Sequence, residues 1–380
     1  GAFAPRVARL ARLFQLDGFE QEAVMVCLAP EVDLRYERLY GYLQDDVSRK
    51  RPTADLILKL LGNSEEERLA LRERLGARGR LFSSGILTLP DEAAERSPFL
   101  SRPIKLDDRI TEYLVGADTL DARLAALATL HAVGSQPPFT PPDERVLAGL
   151  VRLLTEGNQV LGPQALGGPE GAVLLYVHGQ GASFRKAVVR HACLHAQRPL
   201  LLVDLGELVE SPHPDRLLRL VVREALLQDA VLALDDLDAL AAADDTNLQA
   251  AFVQLRRDLE TRTGPTFFIG EHRWEPAGWL QDVPGLRVEL PPLTLADRVR
   301  VWRSGFDGAL DDDQLAELAS RYRLDGDGVQ AVSTTAHLHA QWRGAPQADL
   351  TDVWAAARAV SAPPMEGLAR RVVPRHTWND

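Results

Sequence analysis

The sequence predicts an α/β protein in which a doubly wound parallel sheet is followed by a helical lid and preceded by a mainly helical domain. Three observations predict this fold. Five short apolar segments alternate with helical patterns in residues 172–292, residues 293–362 contain only helical patterns, and a Pro-rich stretch separates both from residues 1–134. Such alternation is typical of a parallel sheet with helices on both faces.

Length and composition limit the class of protein. The chain has 380 residues, enough for two or three domains, with 46% hydrophobic and 26% charged residues, as in globular proteins. No apolar run reaches the roughly 18 residues of a membrane span. With only Cys27 and Cys193 and no signal-peptide pattern, the sequence predicts a cytoplasmic protein that has no membrane partner. The net charge of −11 makes nucleic acid an unfavourable partner.

Residues 1–134 are predicted to form a mainly helical, winged-helix-like domain. Helical spacing covers residues 7–14, 20–28, 34–43, 53–61 and 110–133. Two strand-like segments, 81–89 and 99–106, follow the first four helices and flank an acidic loop. Folds of this kind bind DNA or contact proteins, and the acidic charge favours a protein contact.

Residues 135–171 are predicted to be a linker with one helix. Residues 135–142 contain four prolines and are expected to be extended, residues 144–156 are helical, and residues 162–171 are rich in Gly. The sheet follows in residues 172–292, with predicted strands at 172–177, 199–203, 230–234, 266–269 and 286–290. Predicted helices between the strands cover 183–196, 214–227 and 247–263.

The first strand of the sheet runs into a degenerate phosphate-binding loop. Residues 179–186 read Gly-Gln-Gly-Ala-Ser-Phe-Arg-Lys, where the intact motif is G-x-x-x-x-G-K-[S/T]. Phe184, Arg185 and Lys186 therefore replace the second Gly, the Lys and the hydroxyl residue. The candidate nucleotide-binding residues in this segment are Gly179, Gln180, Gly181, Ala182, Ser183, Arg185 and Lys186. An ordinary Gly-rich turn between a strand and a helix is the alternative.

Each replacement in this loop is expected to oppose ATP hydrolysis. The ring of Phe184 is expected to occupy space where backbone amides would face phosphate. Arg185 keeps the positive charge but is bulkier than Lys. Lys186 removes a magnesium ligand and adds a cation, and charges of +1 and +2 at about 4 Å repel by roughly 8 kcal/mol at an effective dielectric constant near 20. We expect Lys186 to swing away from the ion, so this value is an upper bound, but even a small part of it would weaken Mg²⁺ binding.

Asp235 and Asp236 end the third predicted strand as the two acids of a Walker B motif do. Asp235 is the candidate Mg²⁺ ligand, and Asp236 is the candidate catalytic residue that would polarise the attacking water. The alternative is a pair of acids before an acidic turn. Two further positions are sensor-like, namely Glu271 after the fourth strand and Gln330 in the lid. Glu271 would repel a γ-phosphate, and Gln330 stands where an Arg would be expected.

Several segments resemble the N-terminal half of bacterial tandem AAA+ ATPases that are encoded with extracellular contractile injection systems. The resemblance lies in residues 29–31, 42–52 and 104–110, and in the tail 371–380. Residues 363–380 are similar to the junction that precedes the second AAA+ domain of those proteins. The resemblance implies an AAA+-like fold for residues 172–362, a second AAA+ domain that hydrolyses ATP, a hexameric ring, and a protein partner in an injection-system assembly.

The resemblance assigns roles to residues only by position. Gly179, Gly181, Arg185 and Lys186 match the phosphate-binding loop, and residues 235–236 match the Walker B acids. Binding of ATP or ADP is left open, because Arg185 and the helix N-terminus still favour an anion, whereas the departures from the motif disfavour Mg²⁺. We interpret the chain as a degenerate AAA+ module with little or no hydrolysis of its own. The alternatives are a working ATP-hydrolysing motor domain and a DNA-binding regulator that acts through the winged-helix-like unit.

Overall fold

Three buried apolar cores organise the chain, one in its N-terminal domain and two on the opposite faces of a six-stranded sheet. The computed structural model describes residues 4–90, 97–134, 144–160, 172–242, 252–253, 255, 259, 264–273, 285–306 and 308–361. Within these residues no helix has both the length and the apolar character that crossing a bilayer requires.

The N-terminal domain contains helices and a two-stranded antiparallel sheet. Its elements are α1 (Ala4–Leu13), α2 (Gly18–Val32), α3 (Arg35–Leu43), α4 (Ala54–Leu61), α5 (Glu65–Arg74), α6 (Arg80–Ser83), β1 (Leu87–Thr88), β2 (Lys105–Leu106) and α7 (Asp108–Val115). Side chains of Thr53 and Ser64 accept hydrogen bonds from the first turns of α4 and α5. Because only residues 62–64 separate these two helices, they form a helix-turn-helix unit.

The strand pair beyond this unit completes the predicted winged-helix-like arrangement. β1 and β2 pair antiparallel with Leu87 opposite Leu106, and an isolated bridge joins Thr53 to Pro103. The bridge places Pro103, which precedes β2, beside the start of α4. The acidic loop predicted between the two strands lies outside the described residues.

One helix prediction was wrong. Residues 110–133 were predicted to be helical throughout, but α7 ends at Val115, where Gly116 adopts a left-handed φ of 120°. The chain continues as a 3₁₀ turn (Ala122–Leu124) and a strand, β3 (Ala128–His131), that pairs antiparallel with the edge of the larger sheet. Apolar residues in this segment satisfied the helical pattern, but an available sheet edge offers the backbone hydrogen bonds that a strand needs.

The larger sheet confirms the predicted doubly wound topology. Its other strands are β4 (Ala172–His178), β5 (Leu200–Asp204), β6 (Val231–Asp235), β7 (Gly264–Gly270) and β8 (Gly285–Glu289). The order across the sheet is β3-β5-β6-β7-β4-β8, and every pair except β3 with β5 is parallel. All five residues of β6 are buried, which explains its uninterrupted apolar sequence before the terminal Asp.

Helices cover both faces of the sheet, and four more form the predicted lid. They are α8 (Glu144–Val160), α9 (Ala182–His195), α10 (Leu205–Val209), α11 (Pro214–Leu227), α12 (Leu237–Ala242), α13 (Leu295–Phe306), α14 (Asp312–Arg321), α15 (Gly326–Trp342) and α16 (Leu350–Ser361). One core joins the lid to the β4–α9 face of the sheet. Most of the helix predicted at 247–263, the Pro-rich and Gly-rich parts of the linker, and residues 363–380 lie outside the described residues.

Helix α11 attaches the N-terminal domain to the sheet through buried charges. The guanidinium of Arg109 donates three hydrogen bonds of 2.8–3.2 Å to the carboxylate of Glu224. Arg223 donates to Asp121 (2.6 Å) and to the backbone oxygen of Gly85 (2.6 Å). Leu227, at the end of the same helix, belongs to the core of the N-terminal domain. Together with β3, these contacts connect the two domains as one packed unit.

A pH-dependent stability follows from His131 at the end of β3. Burial, and then the charge of Arg190, lower the pKa of His131 from 6.5 to about 4. Between these values the unfolded chain binds a proton that the folded chain does not, so stability falls as the pH drops from 6.5 to 4. Allowing for partial solvent screening, we expect a loss of about 1–2 kcal/mol. Urea unfolding at pH 7 and pH 4.5 would measure it.

The control for this prediction is His131→Gln, which cannot be protonated in this range. Its free energy of unfolding should fall less than that of the wild-type protein between the two pH values. Parallel pH dependences of the two proteins would contradict the assignment to His131.

Candidate functional site

Apart from Gln330 in the lid, the sequence-predicted site residues lie at or just after the carboxyl ends of three strands that are neighbours in the sheet. β7 separates β6 from β4, so Asp235, Glu271 and the turn after β4 face the same edge. The amino ends of α9 and of the lid helix α15 meet there. Ligands of open α/β sheets bind at this edge.

The turn from β4 to α9 contains only residues 179–181. Gly179 has a φ of 138°, and a Cβ on it would lie 2.5 Å from the backbone oxygen of Leu290. Gly181 has a φ of 88° and directly precedes α9. Both positions therefore require Gly. Because the helix already begins at Ala182, the turn is shorter than the motif's Gly-to-Gly spacing, which leaves less backbone to surround a phosphate chain.

Phe184 does not lie where the sequence predicted. It is the third residue of α9, and its side chain is 1% exposed in the core that joins the sheet to the lid. The ring therefore stabilises the interior and does not occupy the space of a phosphate. The expectation was wrong because the motif was aligned by residue count, whereas the helix begins before Phe184 and directs its side chain inward.

Arg185 folds back onto the turn that precedes its own helix. Its side chain is buried, and its guanidinium donates to the backbone oxygen of Gly179. Its charge therefore holds the turn together, whereas the Lys of an intact motif reaches toward phosphate.

Lys186 lies beside two carboxylates at this edge, and its expected displacement by Mg²⁺ stays a prediction. Its ammonium nitrogen lies 3.5 Å from Oδ2 of Asp235 and 3.9 Å from Oδ2 of Asp327. Burial raises the pKa of the Asp235 carboxyl, and the charges of Lys186 and Arg185 lower it in part. A buried carboxylate attracts the nearest available cation, and this attraction holds Lys186 at the site.

Ser183 and the lid residue Asp325 connect the amino ends of two helices. The Ser183 amide and hydroxyl donate to Oδ2 of Asp325 at 3.3 and 3.1 Å. The other oxygen of Asp325 accepts from the Gly328 amide at 3.1 Å and so caps α15. The Asp327 amide donates to the Ser183 hydroxyl at 3.0 Å. The lid is thereby hydrogen-bonded to the first turn of α9.

The carboxylate of Asp236 lies beside the start of α10, which directly follows β5. A Cβ on Gly206 would lie 3.0 Å from Oδ2 of Asp236 and 3.1 Å from Oδ1 of Asp204. Since β5 and β4 are on opposite sides of β6, this carboxylate is directed away from the turn after β4. Asp236 also has a φ of 58°, a left-handed conformation that Asp tolerates better than most residues. Its catalytic role stays a prediction.

The sensor-like residues are exposed. Asp238 fixes the backbone beyond β7 by accepting hydrogen bonds from the amides of Glu271 (2.5 Å) and His272 (3.4 Å). Gln330 lies in the second turn of α15. Gln180 and Ala182 are exposed beside the turn. Within the part of the chain that the structure describes, no hydrogen bond or ion pair joins any of these four side chains to Asp235 or Lys186.

The sequence did not identify Asp325, Asp327 or Asp238 as members of the site. The pattern Asp-Gly-Asp-Gly before a helix predicts an N-cap at residue 325, but it does not show that the cap also contacts α9. That contact joins residues 142 positions apart. No local signal could have found it.

The residues at this edge do not fit Mg²⁺. The candidate ligand Asp235 is already paired with an ammonium group, and the only hydroxyl in the segment 179–186, that of Ser183, is bonded to Asp325. Hard divalent cations require several oxygen ligands. Among the described residues there is no group of three or more His, Cys, Asp or Glu side chains that could hold a metal ion.

Comparison with known proteins supports the N-terminal part of the fold. Residues 1–128 match the family model of a winged helix domain, variant, which confirms the winged-helix prediction. No curated protein matches the chain.

Solved structures of AAA domains are also similar to this chain. The FIGL-1 AAA domain in complex with ADP has 13% identity and a TM-score of 0.44, and the match covers 65% of this chain and 94% of that one. Another structure of the FIGL-1 AAA domain has 14% identity and a TM-score of 0.42, and the match covers 64% of this chain and 91% of that one.

Proposed function

We propose that the chain is a degenerate AAA+ module that organises a larger ring ATPase and hydrolyses little or no ATP itself. Its winged-helix domain would serve as the docking unit for a protein partner. In this proposal a second AAA+ domain of the same polypeptide supplies ATP hydrolysis, and the ring is a cytoplasmic hexamer that belongs to an injection-system assembly. The fold and the sequence resemblance support these roles.

The ion pair between Lys186 and Asp235 is the observation that carries the proposal. The Asp235 carboxylate is the group that would hold magnesium, yet its nearest charged neighbour is an ammonium nitrogen 3.5 Å away. A divalent cation would have to displace this ammonium or accept its repulsion. Phosphoryl transfer depends on a cation between the β- and γ-phosphates. Without a fitting place for that cation, the module is expected to lack turnover.

The alternative of a working motor is less well supported. It requires Asp236 to polarise a water molecule near the phosphate-binding turn, but its carboxylate lies beside Gly206 and Asp204. It also requires a cation that reaches the γ-phosphate, whereas Arg185 is bonded to Gly179. Both groups would have to change partners before hydrolysis could begin.

The DNA-binding alternative is disfavoured by the charge of α5. This is the second helix of the helix-turn-helix unit, whose amino-terminal residues face base edges in DNA-binding members of that class. Here the first turn consists of Glu65, Glu66 and Glu67. Three carboxylates at this position would repel the phosphates of DNA. A protein surface is the better-matched partner.

Phosphate release tests the proposed loss of hydrolysis. We expect the purified chain in magnesium and ATP to release phosphate no faster than an Asp236→Asn variant, because magnesium lacks a fitting site. A coupled phosphate assay at several protein concentrations would measure both rates. Magnesium-dependent release by the wild-type protein that is lost in Asp236→Asn would establish a working motor instead.

A further inference from the structure

One lid carboxylate lies between the amino ends of two helices. Asp325 caps α15, its own helix, and also accepts two hydrogen bonds from Ser183 in α9. The two helices have 17 and 14 residues, so both contribute a positive partial charge at this point. The carboxylate is therefore held from both sides.

The carboxylate of Asp325 contacts the first turn of α9, which is the part of a helix that stabilises bound anions. The amides in the first turn of a helix have no acceptor within the helix. In phosphate-binding proteins these amides bind the ligand's oxygens. Here the Ser183 amide, in that first turn, donates to Asp325. The anion that satisfies this amide thus comes from the chain itself.

A second set of contacts also joins the lid to α9. The Asp327 amide donates to the Ser183 hydroxyl, and the Asp327 carboxylate lies 3.9 Å from the ammonium of Lys186. Lys186 in turn pairs with Asp235 at the end of β6. The lid, α9 and the sheet are consequently joined by an unbroken series of charged and polar contacts.

We propose that Asp325 is an internal latch, which closes the lid on α9 without nucleotide and opposes any phosphate at the start of that helix. The proposal rests on the proposed function, because a module that does not cycle through ATP needs another way to hold its lid. A phosphate group would have to displace the carboxylate and would be repelled by it. The lid position then stays constant while a neighbouring motor domain turns over.

Hydrogen–deuterium exchange of the full chain tests the latch. Asp325→Ala removes a charged acceptor, so amides in the peptide covering residues 179–186 should exchange about tenfold faster or more. Asp325→Asn retains one oxygen acceptor without the charge and should show a smaller increase. It also carries the test if Asp325→Ala fails to fold.

The matched control is Asp311→Ala. Asp311 caps the lid helix α14 through a capping box with Gln314, so its loss weakens the same lid to a similar degree. Residues 179–186 should exchange at the wild-type rate in this variant. Unchanged exchange in both Asp325 variants, or an equal increase in Asp311→Ala, would overturn the latch. Phosphate release by the wild-type protein tests the proposed function separately. The exchange rates of these amides do not depend on turnover, so either test can fail without the other.

Discussion

Replacing Phe184 by Gly is expected to destabilise the protein by about 4–6 kcal/mol without creating ATP turnover. This substitution would restore the second Gly of the phosphate-binding motif, but the ring is buried in the core that joins the sheet to the lid. Removing a buried Phe side chain costs about 3–5 kcal/mol, and Gly inside a helix costs about 1 kcal/mol more. Urea unfolding would measure the loss.

The same reasoning applies to the full restoration of the motif. Phe184→Gly combined with Arg185→Lys and Lys186→Thr should release no phosphate above background, because the turn before α9 still has only three residues. Phe184→Leu is the matched control and should cost about 1 kcal/mol, since it keeps most of the buried volume. A triple variant with wild-type stability and magnesium-dependent turnover would contradict our interpretation of the turn.

Replacing Glu224 by Gln is expected to lower the free energy of unfolding by about 3–5 kcal/mol. Glu224 is fully buried, and the side chain of Arg109 that it binds is 2% exposed. Gln retains the shape but not the charge, so the Arg109 cation would remain in the interior without a counterion. Because this pair joins α7 to α11, the loss would loosen the N-terminal domain from the sheet. Chemical denaturation would measure the change.

Asp215→Asn is the control for the buried pair. Asp215 lies on the same helix and pairs with Arg219 at 3.3 Å, but both side chains are exposed. Exposed pairs contribute little, so this variant should change the stability by less than about 0.5 kcal/mol. Equal effects of the two substitutions would show that burial of the Glu224 pair does not determine its contribution.

Elements formed by local patterns were predictable. Each of the five parallel strands overlaps its predicted range, and β4, β5 and β6 are apolar without interruption until their last residue. The lid helices were predicted from the helical spacing of apolar residues in residues 293–362. Asp235 was placed at the end of β6 because the apolar run stops there. β3 was missed, since a four-residue strand at a sheet edge has no apolar run that distinguishes it from a helix.

The candidate site shows the limit of such reasoning most clearly. Counting residues along the motif placed Phe184 beside a phosphate, whereas the early start of α9 turns it inward. The repulsion between Lys186 and a magnesium ion can be estimated from the sequence, but the pairing of Lys186 with the buried carboxylate of Asp235 cannot.

The sequence by itself determined the five parallel strands, the winged-helix character of the first domain, and the loss of the intact phosphate-binding motif. Those features depend on spacing and residue type within short segments. Only the tertiary structure decided the partners of Lys186, Ser183 and Glu224, because their charged or polar partners come from distant parts of the chain. Which charges become neighbours depends on how helices pack on the sheet, and local periodicity does not contain that information.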